Sequence, residues 1–334
     1  MRKILVINQG QSLNYGDIAI NQVVQGFFES KEYDIDFLPL WDETKIFGFL
    51  SRNKIVLKVL MRLPHLVDYF YCRFLAKNTS KKTYDAIIIG GGDLLSNHRG
   101  FNNAIYNIMR VLDNPKYIIG VSGNRNMSRF YLRRYKKALE KATRVYVRDN
   151  ATARICNNVY GVSTVTYPDV VFAYNKVIKT SYPEEERNTN LLIPMIYYKE
   201  SGAYLGLKTE DEFYQFIYNQ IPRKIDNLKI AITTPEDIYS AKKIQKIFSI
   251  NGREVPEVVK YESLSEFMNL LNRTEVVYSC RMHGLILGAI SGCVMKPIIV
   301  KGKIRAFNSE YIDSERSIDT ISEEAYSSLE KLLK

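Results

Sequence analysis

The chain has 334 residues, 46% of them hydrophobic and 25% charged, a globular composition that excludes intrinsic disorder and leaves room for two domains of ordinary size. Lys+Arg of 47 against Asp+Glu of 36 gives a formal net charge of +11, which favours anionic partners: phosphorylated substrates, acidic lipid headgroups or nucleic acid. Cys72, Cys156, Cys280 and Cys293 form no C-x-x-C pair, so neither a zinc cluster nor a disulfide framework is expected, and no apolar run reaches the ~18 residues of a membrane span.

The N-terminal MRKILVINQG is too short in apolar length for a signal peptide and reads as a strand over Lys3 to Asn8. Ile20, Val23, Val24 and Phe27 have helical spacing. Asp34 to Leu38 reads as a second strand. Ala86 to Ile89 is purely apolar, as central parallel strands tend to be, and Tyr117 to Val121 and Val145 to Val147 repeat the pattern. Leu132, Tyr135, Leu139 and Ala142 form a helical stripe between the last two. Strands spaced by helices predict a parallel, doubly wound sheet. The polar stretch Asn175 to Asn190, with Pro183 and Glu184-Glu185-Glu186, reads as a linker. A second series follows, with strands at Leu191 to Ile196, Leu228 to Thr233, Val276 to Tyr278 and Pro297 to Val300. Its helices are Phe213 to Ile225, Ile238 to Ile250, Leu264 to Leu271 and the small-residue run Leu285 to Ile290. The expected fold class is α/β, two Rossmann-like domains facing a cleft. The first covers 1–174, a linker 175–190, the second 191–309. The segment 310–334, with an amphipathic helix at Ser322 to Leu333, is expected to pack back on the N-terminal domain.

The most informative stretch is Ser279-Cys280-Arg281-Met282-His283-Gly284, just past a strand and just before a helix. Open α/β sheets bind ligands at the carboxyl ends of strands, and a helix N-terminus adds unpaired N–H groups. Arg281 supplies a fork for carboxylate or phosphate. His283, one of only three histidines, supplies a group that exchanges protons near neutrality. Lys303, expected on the loop after Pro297 to Val300, would complete a cationic pocket. The bland alternative is a surface arginine and a packed histidine.

Five more strand ends carry polar or glycine-rich tips. Asn14-Tyr15-Gly16-Asp17 opens a helix, where Asp17 either caps the helix or faces a ligand. Gly90-Gly91-Gly92-Asp93 follows an apolar strand and either bares backbone N–H groups to an anion or sugar, or simply makes a tight turn. It is not G-x-G-x-x-G and no Walker lysine follows, so neither dinucleotide binding nor P-loop chemistry is supported. Gly120-Val121-Ser122-Gly123-Asn124-Arg125 is a loop with polar tips. At Tyr146-Val147-Arg148-Asp149, Arg148 is placed to reach an anion and Asp149 to cap a helix. Asp169, after Tyr167-Pro168, is placed to hold a sugar hydroxyl or Arg148.

Two stretches concern surfaces. Arg129 to Arg144 is basic and reads first as a solvated helix face. Lys45 to Lys77 interleaves Phe47, Phe49, Leu50, Val56, Leu57, Leu60 and Met61 with Arg52, Lys54, Lys58 and Arg62. That suits either a helical subdomain covering the sheet or a segment lying among lipid headgroups.

Taken together these residues resemble the polysaccharide pyruvyl transferases. The matching pieces are N-x-G-D (Asn14, Gly16, Asp17), GGGD (Gly90 to Asp93), V-R-D (Val147 to Asp149), P-D (Pro168, Asp169), R-M-H-G-L-I-L-G-A-I-S-G (Arg281 to Gly292) and the lysine at Lys303. The R-x-H-G block is the most specific. The loop Gly120 to Arg125 departs from the G-x-G-x-G-P-like run common in that family. The resemblance implies a GT-B-like fold and phosphoenolpyruvate as co-substrate, with no cofactor and no metal. The product would be a pyruvate ketal on a sugar of a capsule, exopolysaccharide or cell-wall glycan. Acceptors of that kind are often carried on a polyprenyl diphosphate at the cytoplasmic membrane face. A cytoplasmic enzyme, peripheral on an anionic membrane surface, is the matching location.

On that reading the catalytic residues are His283, Arg281 and Asp17. Donor contacts come from Arg281, His283, Gly284, Lys303 and Arg148. Acceptor contacts come from Asn14, Gly16, Asp17, Gly91, Gly92, Asp93, Asn124 and Asp169. The enzymatic rival is a GT-B glycosyltransferase with a nucleotide-sugar donor, Glu310 being a weak candidate for its ribose. The non-enzymatic rival is a module binding acidic glycans or nucleic acid through its charge, although no nucleic-acid motif is present and no nucleic acid is expected as a partner. The sequence sets no oligomeric state.

Overall fold

The computed structural model describes residues 2–9, 12–123, 128–179 and 186–333. The chain divides into two compact units. One takes in Met1–Ser12, Ile20–Val170 and Glu324–Lys334; the other takes in Leu13–Ala19 and Val171–Glu323.

The elements of the first half are β1 (Lys3–Asn8), α1 (Tyr15–Ser30), β2 (Asp34–Pro39), α2 (Glu43–Phe47), α3 (Lys54–Leu60), α4 (Pro64–Thr79), β3 (Ala86–Leu95), α5 (Arg99–Val111), β4 (Lys116–Gly123), α6 (Arg129–Leu139), β5 (Arg144–Val147), α7 (Asn150–Ile155) and β6 (Val165–Thr166). The first unit's sheet is all parallel, in the order β2-β1-β3-β4-β5-β6. Its central strands are sealed on both faces, which is why they read as unbroken apolar runs. Leu5, Ile7, Ile87, Ile89, Ile118 and Val121 lie in its core.

The second half continues with α8 (Tyr174–Val177), β7 (Thr189–Ile193), α9 (Tyr198–Leu205), α10 (Glu210–Asn219), β8 (Leu228–Ile232), α11 (Asp237–Ile250), β9 (Glu257–Lys260), α12 (Leu264–Asn272), β10 (Thr274–Ser279), α13 (Met282–Ile290), β11 (Val294–Pro297), α14 (Gly302–Phe307) and α15 (Ile318–Leu332). The second unit's sheet is also all parallel, in the order β11-β10-β7-β8-β9. In such sheets a crevice opens where the strand order reverses. That point lies between β1 and β3 in the first unit and between β7 and β10 in the second.

Two expectations shift by local packing. The last strand forms at Val294–Pro297, not at Pro297 to Val300, because Gly292 (φ +79°) turns the chain directly into register with Val276 to Ser279. Lys303 therefore stands in the first turn of α14, not on a loop. In the expected linker, residues 180–185 lie outside the described part. Beside them Arg187 is fixed to the second unit, its guanidinium donating to the carbonyls of Thr274 (2.8 Å) and Ser291 (2.6 Å).

The glycine triplet is the larger correction. β3 does not end at Ile89 but runs on to Leu95, with Gly90, Gly91 and Gly92 buried within it. Gly90 (φ +126°) passes so near β4 that a Cβ there would stand 2.2 Å from the Ile119 carbonyl oxygen, and one on Gly91 would stand 3.0 Å from that of Gly120. The triplet exists so that two backbones can touch; the open turn expected for Gly91 and Gly92 is absent. Asp93 sits half-buried in the same strand.

Gly90→Ala should destabilise the protein by about 3 kcal/mol, since both the positive φ and the carbonyl contact are violated. Gly302→Ala, which meets only the Tyr204 ring at 3.9 Å, should change it by no more than about 0.5 kcal/mol. Urea unfolding of the two variants beside the wild type measures the difference.

Candidate active site

The site begins with the turn that joins β10 to α13. Ser279 is fully buried, and its hydroxyl both accepts from the Arg281 N–H (3.0 Å) and donates to the Arg281 carbonyl (2.8 Å). This closed loop of two bonds fixes the backbone that presents Arg281, Met282 and His283. Arg281 occupies the capping position of α13, so His283 lies in the helix's first turn, where peptide N–H groups lack helical partners. Gly284 was expected to contact a donor. A Cβ there would stand 2.8 Å from both Ile193 Cδ1 and Ser279 Oγ, so it is also the point where α13 closes onto β7 and β10. Gly288, one turn on, approaches Val277 in the same way.

Arg281, expected in a cationic pocket, is paired with a carboxylate. Its Nε donates to Asp237 Oδ2 (2.6 Å) and its Nη2 to Asp237 Oδ1 (2.5 Å) and to the Thr234 hydroxyl (2.9 Å). Asp237 is wholly buried at the start of α11, and its carboxylate also accepts from the Ile196 N–H (3.2 Å). Burial raises the Asp237 carboxyl above the usual carboxylate range, while Arg281 and the neighbouring donors pull it back. The pair spends one edge of the guanidinium on a carboxylate and leaves Nη1, which meets no partner among the described residues. The Tyr197 ring, past the end of β7, carries Arg281 Cζ at 5.6 Å and Lys301 Nζ at 4.6 Å from its centroid. Lys301 also pairs with Glu200 (2.6 Å), which holds that carboxyl below its usual range. Asp237, Thr234, Tyr197 and Lys301 all escaped the sequence reading. Their one signal was position: each lies just beyond a strand of the second sheet.

His283 has a neighbour from the far end of the sequence. A Cβ on Gly16 would fall 1.9 Å from His283 Nδ1 and 2.4 Å from its Cγ. The imidazole therefore occupies the place a side chain at position 16 would need. The sequence reading put Asn14, Gly16 and Asp17 in the N-terminal domain. They pack in the second unit because Tyr15 anchors there: its N–H donates to the Thr233 carbonyl (3.1 Å), its hydroxyl to the Tyr261 carbonyl (2.5 Å), and its ring lies 5.1 Å from that of Phe267. Asn14 rather than Asp17 caps α1, its Oδ1 accepting from the Gly16 N–H (3.0 Å). Asp17 is left in the first turn, one residue past the glycine that touches His283.

The remaining predicted residues belong to other elements. Arg148, expected to reach an anion, and Asp169, expected to hold a sugar hydroxyl or Arg148, are both buried in the first unit and pair with each other at 2.9 Å, the second of the alternatives for Asp169. Arg148 Nη2 also donates to the Ser122 hydroxyl (2.7 Å). Neighbouring strands β5 and β6 bring the two together. Asp149 caps α7 as expected, accepting from the Thr152 N–H at 2.6 Å. Lys303 is exposed on α14, and Glu310 lies in the turn after it. Asn124 falls outside the described residues.

The family model for polysaccharide pyruvyl transferase matches residues 14–295. No curated protein matches the sequence. Among solved structures, the chain resembles UDP-GlcNAc 2-epimerase from Methanocaldococcus jannaschii, with a TM-score of 0.56 at 9% identity over 100% of this chain and 93% of that one. It also resembles a glycosyltransferase from Rickettsia africae ESF-5, with a TM-score of 0.55 at 9% identity over 100% and 94%. UDP-GlcNAc 2-epimerase from Neisseria meningitidis, bound to UDP-GlcNAc, gives 0.53 at 10% identity over 98% and 96%. At these identities the likeness speaks for the fold alone: two Rossmann-like α/β domains of the GT-B kind.

Removing the carboxylate that clamps Arg281 should cost stability as well as position. Asp237→Ala is expected to lower unfolding free energy by about 3 kcal/mol, the usual order for stranding one member of a buried pair. Denaturant titration at neutral pH checks it, and a loss below about 1 kcal/mol would show that Asp237 does not hold a buried charge.

Proposed function

The chain belongs to the polysaccharide pyruvyl transferase family, and we propose that it moves the pyruvyl group of phosphoenolpyruvate onto two hydroxyls of a sugar, forming a ketal and releasing inorganic phosphate. The acceptor would be a surface-polysaccharide sugar, carried on a polyprenyl diphosphate. One observation carries this reading: the N-x-G-D and R-x-H-G motifs, far apart in sequence, meet where Gly16 lies against the His283 imidazole.

The donor is small and bears a carboxylate and a phosphate. Ketal formation requires a proton at C3 and leaves C2 oxocarbenium-like. One sugar hydroxyl bonds to C2, the bond from C2 to the phosphate oxygen breaks, and a second hydroxyl closes the ring. Of the two hydroxyl protons, one is balanced by the proton gained at C3 and the other by the phosphate released. His283 is assigned a proton transfer in this sequence, since imidazole both donates and accepts near neutral pH. Arg281 is assigned the donor's anionic groups through Nη1, with Asp237 fixing the other edge of the fork. Lys301 and Lys303 add positive charge near the start of α14. The first turn of α13 adds its open N–H groups. Asp17 is assigned to an acceptor hydroxyl, as orienting group or base. Arg148 and Asp169, held by each other, are assigned to supporting the first unit's strand ends.

The test is phosphate release from phosphoenolpyruvate with a panel of water-soluble galactosides, mannosides and glucosides. Turnover with at least one sugar is expected, and none with UDP-sugars in place of phosphoenolpyruvate. His283→Ala should lose about 100-fold or more in kcat with an unchanged circular-dichroism melt. Arg281→Ala should chiefly weaken phosphoenolpyruvate binding, read by calorimetry. A folded His283→Ala variant with near wild-type turnover would remove the imidazole from the chemistry, and thermal stabilisation by UDP-sugars but not by phosphoenolpyruvate would favour a glycosyltransferase.

A further inference from the structure

The segment from α2 to α4 leaves apolar side chains in solvent. α3 has the sequence KIVLKVL, yet none of its residues is buried. Part of the segment does cover the sheet: Phe47 is in the core, and Leu50, Leu57, Leu60 and Met61 pack against it. The rest turns outward. Phe49 is 77% and Ile55 76% exposed, and Val59, Leu63, Leu66 and Tyr69 are exposed with them. Ile55 and Val59 are one helical turn apart, as are Lys54 and Lys58, so α3 presents an apolar ridge beside a cationic one.

The charge around this patch is predominantly positive, although Lys45 pairs with Asp42 (3.6 Å). Lys45, Arg52, Lys54, Lys58 and Arg62 are all exposed. Over 43–79 the acids are Glu43 and Asp68, and Asp68 is buried in an ion pair with Arg134. The patch is also held in shape. Asn53 caps α3, its Oδ1 accepting from the N–H groups of Ile55 (2.9 Å) and Val56 (3.2 Å), and the Tyr71 hydroxyl ties α4 to the Leu40 carbonyl (2.9 Å). An apolar surface of this extent marks a contact. Aliphatic and aromatic side chains bordered by lysine and arginine match the boundary between acyl chains and anionic headgroups. No helix among the described residues is long and apolar enough to cross a membrane, so any such contact is from one side.

We propose that α3, with Phe49 before it and the start of α4 after it, is the surface by which this protein docks on an anionic lipid bilayer. This deepens the proposed function, on which its purpose rests: a lipid-linked acceptor is reached from that surface.

The experiment is flotation of the full chain with vesicles of phosphatidylcholine alone and of phosphatidylcholine mixed with phosphatidylglycerol. Recovery with the mixed vesicles, lost in high salt, is expected. The Ile55→Ser/Val59→Ser double variant should reduce the vesicle-bound fraction about tenfold. Lys54→Gln/Lys58→Gln should do so for mixed vesicles too. Because these side chains are exposed, both variants should keep the wild-type melt and wild-type phosphate release with a water-soluble acceptor. Failure of the wild type to float, or equal flotation of the apolar variant, would overturn the proposal. So would a dimer that the apolar variant dissociates in the absence of vesicle binding, which would give this face to a second copy. Flotation without any phosphate release would leave the docking surface standing and sink the pyruvyl transfer.

Discussion

A missing methyl group governs the edge of the second unit where the start of α1 meets α13. Gly16 has no Cβ, and the His283 imidazole fills the space. Any larger residue would force either the start of α1 or the first turn of α13 to move. That contact explains why a short motif near the N-terminus belongs with a strand end near the other end of the chain. It also explains Tyr15, whose three anchors on the second unit hold Gly16 in place. Sequence fixes the contact through residue size, the contact fixes the position of the imidazole, and position decides what the imidazole can reach.

Charge at this edge is arranged rather than accumulated. A lone guanidinium would move freely and bind any anion. Asp237 takes its Nε/Nη2 edge and so sets its direction, while lowering its net charge. The deep burial of Asp237 makes the pair stiff, because separating the partners would strand a charge away from water. Further positive potential comes from the N–H groups opening α13 and from the lysines at the start of α14, of which Lys301 is itself held by Glu200. The Tyr197 ring, shared by Arg281 and Lys301, joins the two sources.

The alternation of strands and helices was legible from hydrophobic period alone, since buried parallel strands leave unbroken apolar runs such as Ile87 to Ile89. Arg281 and His283 were legible because strand end, small residues and helix start follow one another there. Asp237, Thr234 and Tyr197 were not, because strand order in the sheet, not order in the chain, makes them neighbours of Arg281. Glycines misled for a related reason. At Gly90 and Gly91 a glycine that spares room for a ligand reads the same as one that spares room for another backbone, and only the packing tells them apart. The Arg148–Asp169 pair was one of two alternatives that strand-end position left open for Asp169, and the adjacency of β5 and β6 decides for it.

The chain's scarcity of histidine makes the central claim directly measurable. With nitrogen-labelled histidine, His65, His98 and His283 give three separable imidazole signals. The account predicts that phosphoenolpyruvate moves the His283 signals in a saturable way and leaves those of His65 and His98 in place. If phosphoenolpyruvate leaves all three unmoved, or moves His65 or His98 instead, the imidazole beside Gly16 is not where the donor binds.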